Sequence, residues 1–181
     1  GTVDWAAVKA GGIDFAIIRA GYRGTTEGGL FEDECFAQNM ENALANGLDV
    51  GVYFFSQAIT EEEAKEEADF VLERIKDYDV TYPVVFDWEI AAVMEDGTVP
   101  RTQQVEIEKI SHFADAFCAE IKRAGKIPAF YTNKHLGYEG FNLKMLEPYE
   151  MWYAEYQEKP SFHYQFDICL LYTSPSPRDT R

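Results

Sequence analysis

The chain has 181 residues, of which 46% are hydrophobic, 15% aromatic and 27% charged, with a formal net charge of -16. That length suits one domain with a substantial core, and the apolar fraction is too high for a disordered acidic chain. So negative a surface repels nucleic acid and anionic lipid, which excludes both as favoured ligands and leaves uncharged polymers such as glycans open.

Apolar runs and amphipathic stretches alternate along the chain. A buried strand is predicted at 15–20, and a helix at 31–46 with Phe36, Met40, Ala43 and Leu44 on one face and Gly47 as its stop. A second strand at 50–55 comes next. The second helix starts at Thr60, which forms a capping box with Glu63, and Ala64, Ala68, Val71 and Ile75 make its inward stripe. The acidic run Glu61, Glu62 and Glu63 matches the dipole of its first turn, which marks a solvated face rather than a binding site. A strand at 84–87 leads to a helix at 102–124, with Ile110, Phe113, Phe117 and Ile121 inward. Strands at 127–132 and 151–156, and a weaker one at 164–168, complete the pattern. Residues 170–181 carry Ser-Pro repeats without periodicity and are expected to be a disordered tail.

Near-continuous apolar strands separated by helices predict an α/β fold with parallel pairing, as an open doubly wound sheet or a closed barrel. The turn Ala20-Gly21-Tyr22-Arg23-Gly24 lacks the spacing of a dinucleotide fingerprint. The three cysteines, Cys35, Cys118 and Cys169, have neither metal-ligand spacing nor the even count of a disulfide framework, and Cys118 reads as a buried thiol. No stretch is long and apolar enough for a membrane span, and no signal peptide is visible in a chain that opens on Gly1 and reads as a fragment.

The sharpest chemical signal is Tyr82-Pro83-Val84-Val85-Phe86-Asp87-Trp88-Glu89. Alternation puts Val85, Asp87 and Glu89 on one strand face and Val84, Phe86 and Trp88 on the other. Both carboxylates then stand at the C-terminal end of a parallel strand, where α/β active sites assemble. Neighbouring acids divide into a protonated and an ionised partner, as glycoside cleavage requires. Their Cβ atoms would be about 6.5–7 Å apart, which suits either a retaining or an inverting pair. Two other readings stay open on the pattern itself: a solvated strand exit, and a divalent-cation site. For the second, His112, His135 and His163 lack ligand spacing, and His112 reads as exposed. Tyr53, Phe55, Tyr131, Trp152, Tyr153 and Tyr156 fall on or near strand ends; singly each reads as core, together they suit stacking on sugar rings.

The ordered set of segments resembles glycoside hydrolase family 25, the Chalaropsis-type lysozymes (N-acetylmuramidases). It runs from Val3-Asp4-Trp5 through Gly12–Ala20, Asn39, Ala43–Leu48, Gly51–Phe55, Asp87-Trp88-Glu89 and Ala129–Thr132 to Trp152–Tyr156. The resemblance implies an irregular TIM-like (β/α)5β3 barrel that hydrolyses the β-1,4 bond between N-acetylmuramic acid and N-acetylglucosamine. It implies Glu89 as general acid, Asp87 as the acid that stabilises positive charge or orients the acetamido group, and Tyr53, Phe55, Tyr131 and Trp152 along the sugar groove. It further implies a secreted or wall-associated monomer that binds bacterial peptidoglycan without cofactor or metal.

The family's first strand, with its own Asp, is absent ahead of Gly1, and the family's closing strand and later acid are replaced. The expected domain is therefore residues 1–169, truncated at both ends and impaired. Residues 170–181, which resemble translated adapter sequence, are expected to be non-native. The alternative function is a non-catalytic glycan-binding barrel.

Overall fold

In the computed structural model, which describes residues 3–154 and, as backbone alone, 170–173, the apolar runs assemble into one sheet. Its strands are β1 (Phe15–Arg23), β2 (Leu30–Glu32), β3 (Asp49–Ser56), β4 (Val84–Trp88), β5 (Pro128–Asn133), β6 (Glu150–Ala154) and β7 (Leu170–Thr173). They stand in the order β2-β1-β3-β4-β5-β6-β7. Every pairing from β1 through to β7 is parallel, as buried strands joined by helices require. Among the described strands only β2 is antiparallel, folding back on β1. With β2 and β7 at its two edges, the sheet is open among the described residues, and the architecture is mixed α/β.

The helices are α1 (Trp5–Ala10), α2 (Phe36–Ala45), α3 (Glu61–Ile75), α4 (Ile110–Arg123) and the short α5 (Leu143–Leu146). The core lies between α2, α3, α4 and one sheet face, where Met40, Val52, Phe54, Phe86, Phe117 and Phe130 are all buried. Phe86 and Phe117 bring their ring centroids to 5.2 Å across the strand–helix layer. Cys118 sits in this core with its thiol toward the Ala129 carbonyl at 3.5 Å, and burial pushes its pKa up, so it packs as an apolar group.

Local chemistry accounts for where the helices begin. Asp4 caps α1 by accepting from the Ala7 N–H at 3.0 Å. Thr60 accepts from the Glu63 N–H at 3.2 Å, while the Glu63 carboxylate reaches back one residue further than the standard box, to the Ile59 N–H at 2.9 Å. Gly47, with φ +73°, follows α2 as the sequence suggests.

Three expectations need correction. Phe31 belongs to strand β2, and the helix predicted at 31–46 starts only at Phe36, because Asp33 turns its carboxylate onto the Cys35 N–H at 2.9 Å and makes a turn there. The helix predicted at 102–124 starts at Ile110. Before it come two 3-10 turns, Arg101–Gln104 and Ile107–Lys109, separated by extended backbone at Val105 and Glu106. In the segment expected to be disordered, Leu170–Thr173 instead pairs in parallel with β6, since that edge offers a ladder for any chain that can extend along it. The strand expected at 164–168, Tyr156 and Cys169 lie outside the described residues.

A register shift between Arg19 and Gly21 marks a bulge in β1. It reverses side-chain parity over the rest of the strand. Arg19 lies opposite Tyr53, but two residues beyond Gly21 the side chain of Arg23 is buried on the helix side against α3. The bulge also brings β2 so close that a Cβ on Gly21 would stand 2.3 Å from the Phe31 carbonyl oxygen. Because that neighbour is backbone, Gly21→Ala is expected to cost about 1–3 kcal/mol in chemical denaturation. An unchanged midpoint would show that β2 can move away freely.

Candidate active site

The two faces of β4 divide as alternation requires. Val84, Phe86 and Trp88 enter the helix-side core, while Asp87 faces the other way and is half-buried. Trp88 is locked by its indole N–H, which donates to the Ala58 carbonyl at 2.8 Å. Glu89, also half-buried, is the first residue beyond the strand. Phe55 on β3 lies directly beside Asp87.

The second face is concave. Tyr53 on β3 and Trp152 on β6 are three strand spacings apart, or about 14 Å along a flat sheet. Their ring centroids nevertheless come within 6.1 Å, at an interplanar angle of 75°. Tyr131 on β5 meets the same indole edge-on at 5.4 Å. Curling accounts for the approach, and it also explains why Val85 and Ala129 are fully buried although they lie outside the helix-side core. The structure thus groups Tyr53, Tyr131 and Trp152, and sets Phe55 beside Asp87. Tyr153, by contrast, is core on the opposite face.

The concave face also carries Arg19, opposite Tyr53, with its guanidinium held by Asp33 at 2.6 Å and 2.5 Å. Burial raises the Asp33 carboxyl, but the Cys35 N–H and the Arg19 charge outweigh it and bring its pKa below the ordinary value. His112 is exposed, and His135 pairs with Glu139 at 3.2 Å on an exposed turn. Among the described residues no group of three or more His, Cys, Asp or Glu side chains is placed to hold a metal ion.

The family description "Glycosyl hydrolases family 25" matches residues 1–174. The chain belongs to this family. A curated relative, lysozyme M1 of Streptomyces globisporus, is 37% identical over 57 residues, which take in 32% of this chain and 18% of that protein. The structure of the modular autolysin LytC from Streptococcus pneumoniae is similar with a TM-score of 0.71 at 22% identity, over 90% of this chain and 37% of that one. A muramidase from Acremonium alcalophilum gives a TM-score of 0.72 at 18% identity, over 98% and 84%. The chain therefore spans about a third of the autolysin's length, and the aligned stretch spans less than a fifth of the curated relative's.

In this family 25 domain the strand exits rest on polar groups that sequence reasoning passed over. Gln57 and Thr102 are buried beside the backbone of Glu89. Behind them, Arg23 donates its Nε–H to buried Glu67 at 2.7 Å, and its other nitrogens to the Gly28 and Glu63 carbonyls at 2.7 and 2.9 Å. The visible sign was a polar Ser56-Gln57 pair closing an apolar run; its partners lie tens of residues away and leave no local mark.

Burial pushes the Glu67 carboxyl up to about 7, against the lowering effects of the Ser56 hydroxyl and Arg23, while Glu63 adds to the rise. A carboxyl whose folded pKa is raised binds its proton more tightly in the folded state. Its stabilising contribution is complete below about pH 4.5 and is lost as pH rises through about 7. Thermal unfolding of the wild-type chain is expected to lose this contribution between those limits, and Glu67→Gln to flatten that segment of the curve. Identical slopes for the two proteins would contradict the assignment.

Proposed function

We propose that the chain is the catalytic domain of a peptidoglycan muramidase, cleaving the β-1,4 bond between N-acetylmuramic acid and N-acetylglucosamine outside the cell. The observation that carries this reading is the family match together with Asp87 and Glu89 at the C-terminal end of β4, with Phe55 beside Asp87 and the aromatic group Tyr53, Trp152 and Tyr131 on the sheet face that Asp87 shares. Glu89 donates the proton to the leaving oxygen. Asp87 stays ionised and either stabilises the oxocarbenium-like sugar or orients its acetamido group. Phe55, Tyr53, Tyr131 and Trp152 offer apolar ring faces to the CH faces of the sugars, and tyrosine adds a hydroxyl handle.

The pneumococcal autolysin LytC has been solved in complex with a synthetic peptidoglycan ligand, which supports the same polymer as the ligand of this monomeric domain. We take the curled parallel sheet to follow the irregular (β/α)5β3 barrel that the family resemblance implies. We take the domain to run to Thr173, four residues beyond the boundary at 169, because β7 continues the sheet.

A turbidity assay on a peptidoglycan suspension tests the reading, with the chain alone and with the family's first strand appended. Glu89→Gln keeps the shape but removes the acid, and clearing is expected to slow by roughly 10²–10⁴-fold with binding to the insoluble polymer retained. Clearing at the wild-type rate by Glu89→Gln would sink the acid assignment. If both wild-type forms bind the polymer without clearing it, the domain is a glycan-binding module.

A further inference from the structure

Glu89 lies beyond the sheet's reach. The last pair of β4 with β3 is Trp88 with Ser56, and the last with β5 is Phe86 with Phe130. Yet the segment from Glu89 to Ala91 is held at both ends. Gln57, 0% exposed, donates from Nε2 to the Glu89 carbonyl at 2.9 Å and to the Ser56 carbonyl at 2.9 Å. Thr102, 1% exposed, meets Gln57 Oε1 at 3.1 Å and accepts from the Ala91 N–H at 3.2 Å.

The direction of this chain of bonds is set by its chemistry. The carbonyls of Ser56 and Glu89 only accept, so they require the amide NH2 of Gln57. That turns Oε1 toward Thr102, whose hydroxyl must donate to it while accepting from Ala91. Each hydrogen bond fixes the next, and the side chains of Gln57 and Thr102 that make them are out of water. Thr102 itself is secured by its 3-10 turn: the Arg101 N–H donates to the Thr25 carbonyl at 2.9 Å, and the Arg101 side chain to Glu63 at 2.7 Å.

We propose that Gln57 and Thr102 are positioning residues for Glu89, replacing the missing sheet ladder with a two-side-chain clamp that sets where the acid stands over the concave face. The proposal rests on the reading of Glu89 as the general acid. Proton donation requires heavy-atom approach to about 3 Å, so a displacement near 1 Å is enough to cut the rate substantially.

The test compares Thr102→Val with Thr102→Ser, using a soluble oligosaccharide of alternating N-acetylmuramic acid and N-acetylglucosamine. Thr102→Val is expected to lower kcat by about tenfold, to leave KM within about twofold, and to shift the pH profile of kcat. Thr102→Ser, which keeps the hydroxyl, is expected to restore both. Amide hydrogen exchange at Ala91 should quicken in Thr102→Val while the amides of α3 and α4 keep their protection. A folded Thr102→Val with wild-type kcat and pH profile overturns the proposal, and so does a kcat loss that Thr102→Ser fails to reverse. If Thr102→Val does not fold, Thr102→Ala replaces it under the same criteria. Glu89→Gln separates the two claims. Full activity in that variant overturns both, whereas loss of activity in it beside an unaffected Thr102→Val overturns the positioning alone.

Discussion

The site depends on where the Trp88 indole is stored. Its ring is buried on the helix side, and its only N–H reaches the Ala58 carbonyl, so rotating β4 about its axis would expose a large apolar surface and orphan a buried donor. Alternation then leaves Asp87 no choice but the opposite face. The same lock sets the direction in which the backbone leaves the strand toward Glu89. A residue with no part in the chemistry thus determines which way the carboxylates can point, and its bond to Ala58 ties that choice to the adjacent exit of β3.

Curvature does the rest. A flat sheet would hold Tyr53 and Trp152 too far apart to touch, whereas the curled one brings them together on the face where the small side chains Val85 and Ala129 are buried. The aromatic residues therefore have two functions that do not compete. They pack edge-to-face on one another, and each keeps part of its surface accessible.

Much of this was legible in sequence because it is periodic or contiguous. The strand at 84–87, the capping residue Thr60 and the inward stripe of α3 can each be read within a dozen residues. Asp87 and Glu89 were visible for the same reason. The concealed features are those that periodicity does not encode. The bulge in β1 reverses side-chain parity without altering composition, so Arg23 looked like a loop residue and proved to be buried against Glu67, 44 positions away. Thr102 looked like the start of a long helix, but its hydroxyl is used by Ala91 and Gln57, and the helix waits until Ile110. The edge of β6 recruits Leu170–Thr173 through backbone bonds that any extended segment can make, which side-chain pattern cannot forecast.

The polar groups behind the site are sorted by charge. Ions are concentrated around Arg23, Glu63, Glu67 and Arg101, whereas the clamp that touches Glu89 consists of an amide and a hydroxyl. The difference has an electrostatic reason. A unit charge about 6 Å from a carboxyl, at an effective dielectric constant of about 20, changes its energy by about 3 kcal/mol, or roughly two pKa units. A lysine or arginine in place of Gln57 could hold the Glu89 carbonyl as firmly, but it would favour the ionised carboxylate, against the acid role proposed for Glu89. A carboxylate there would have no hydrogen to give the carbonyl. Neutral dipoles fix the Glu89 backbone without setting a charge beside the carboxyl proposed as the acid.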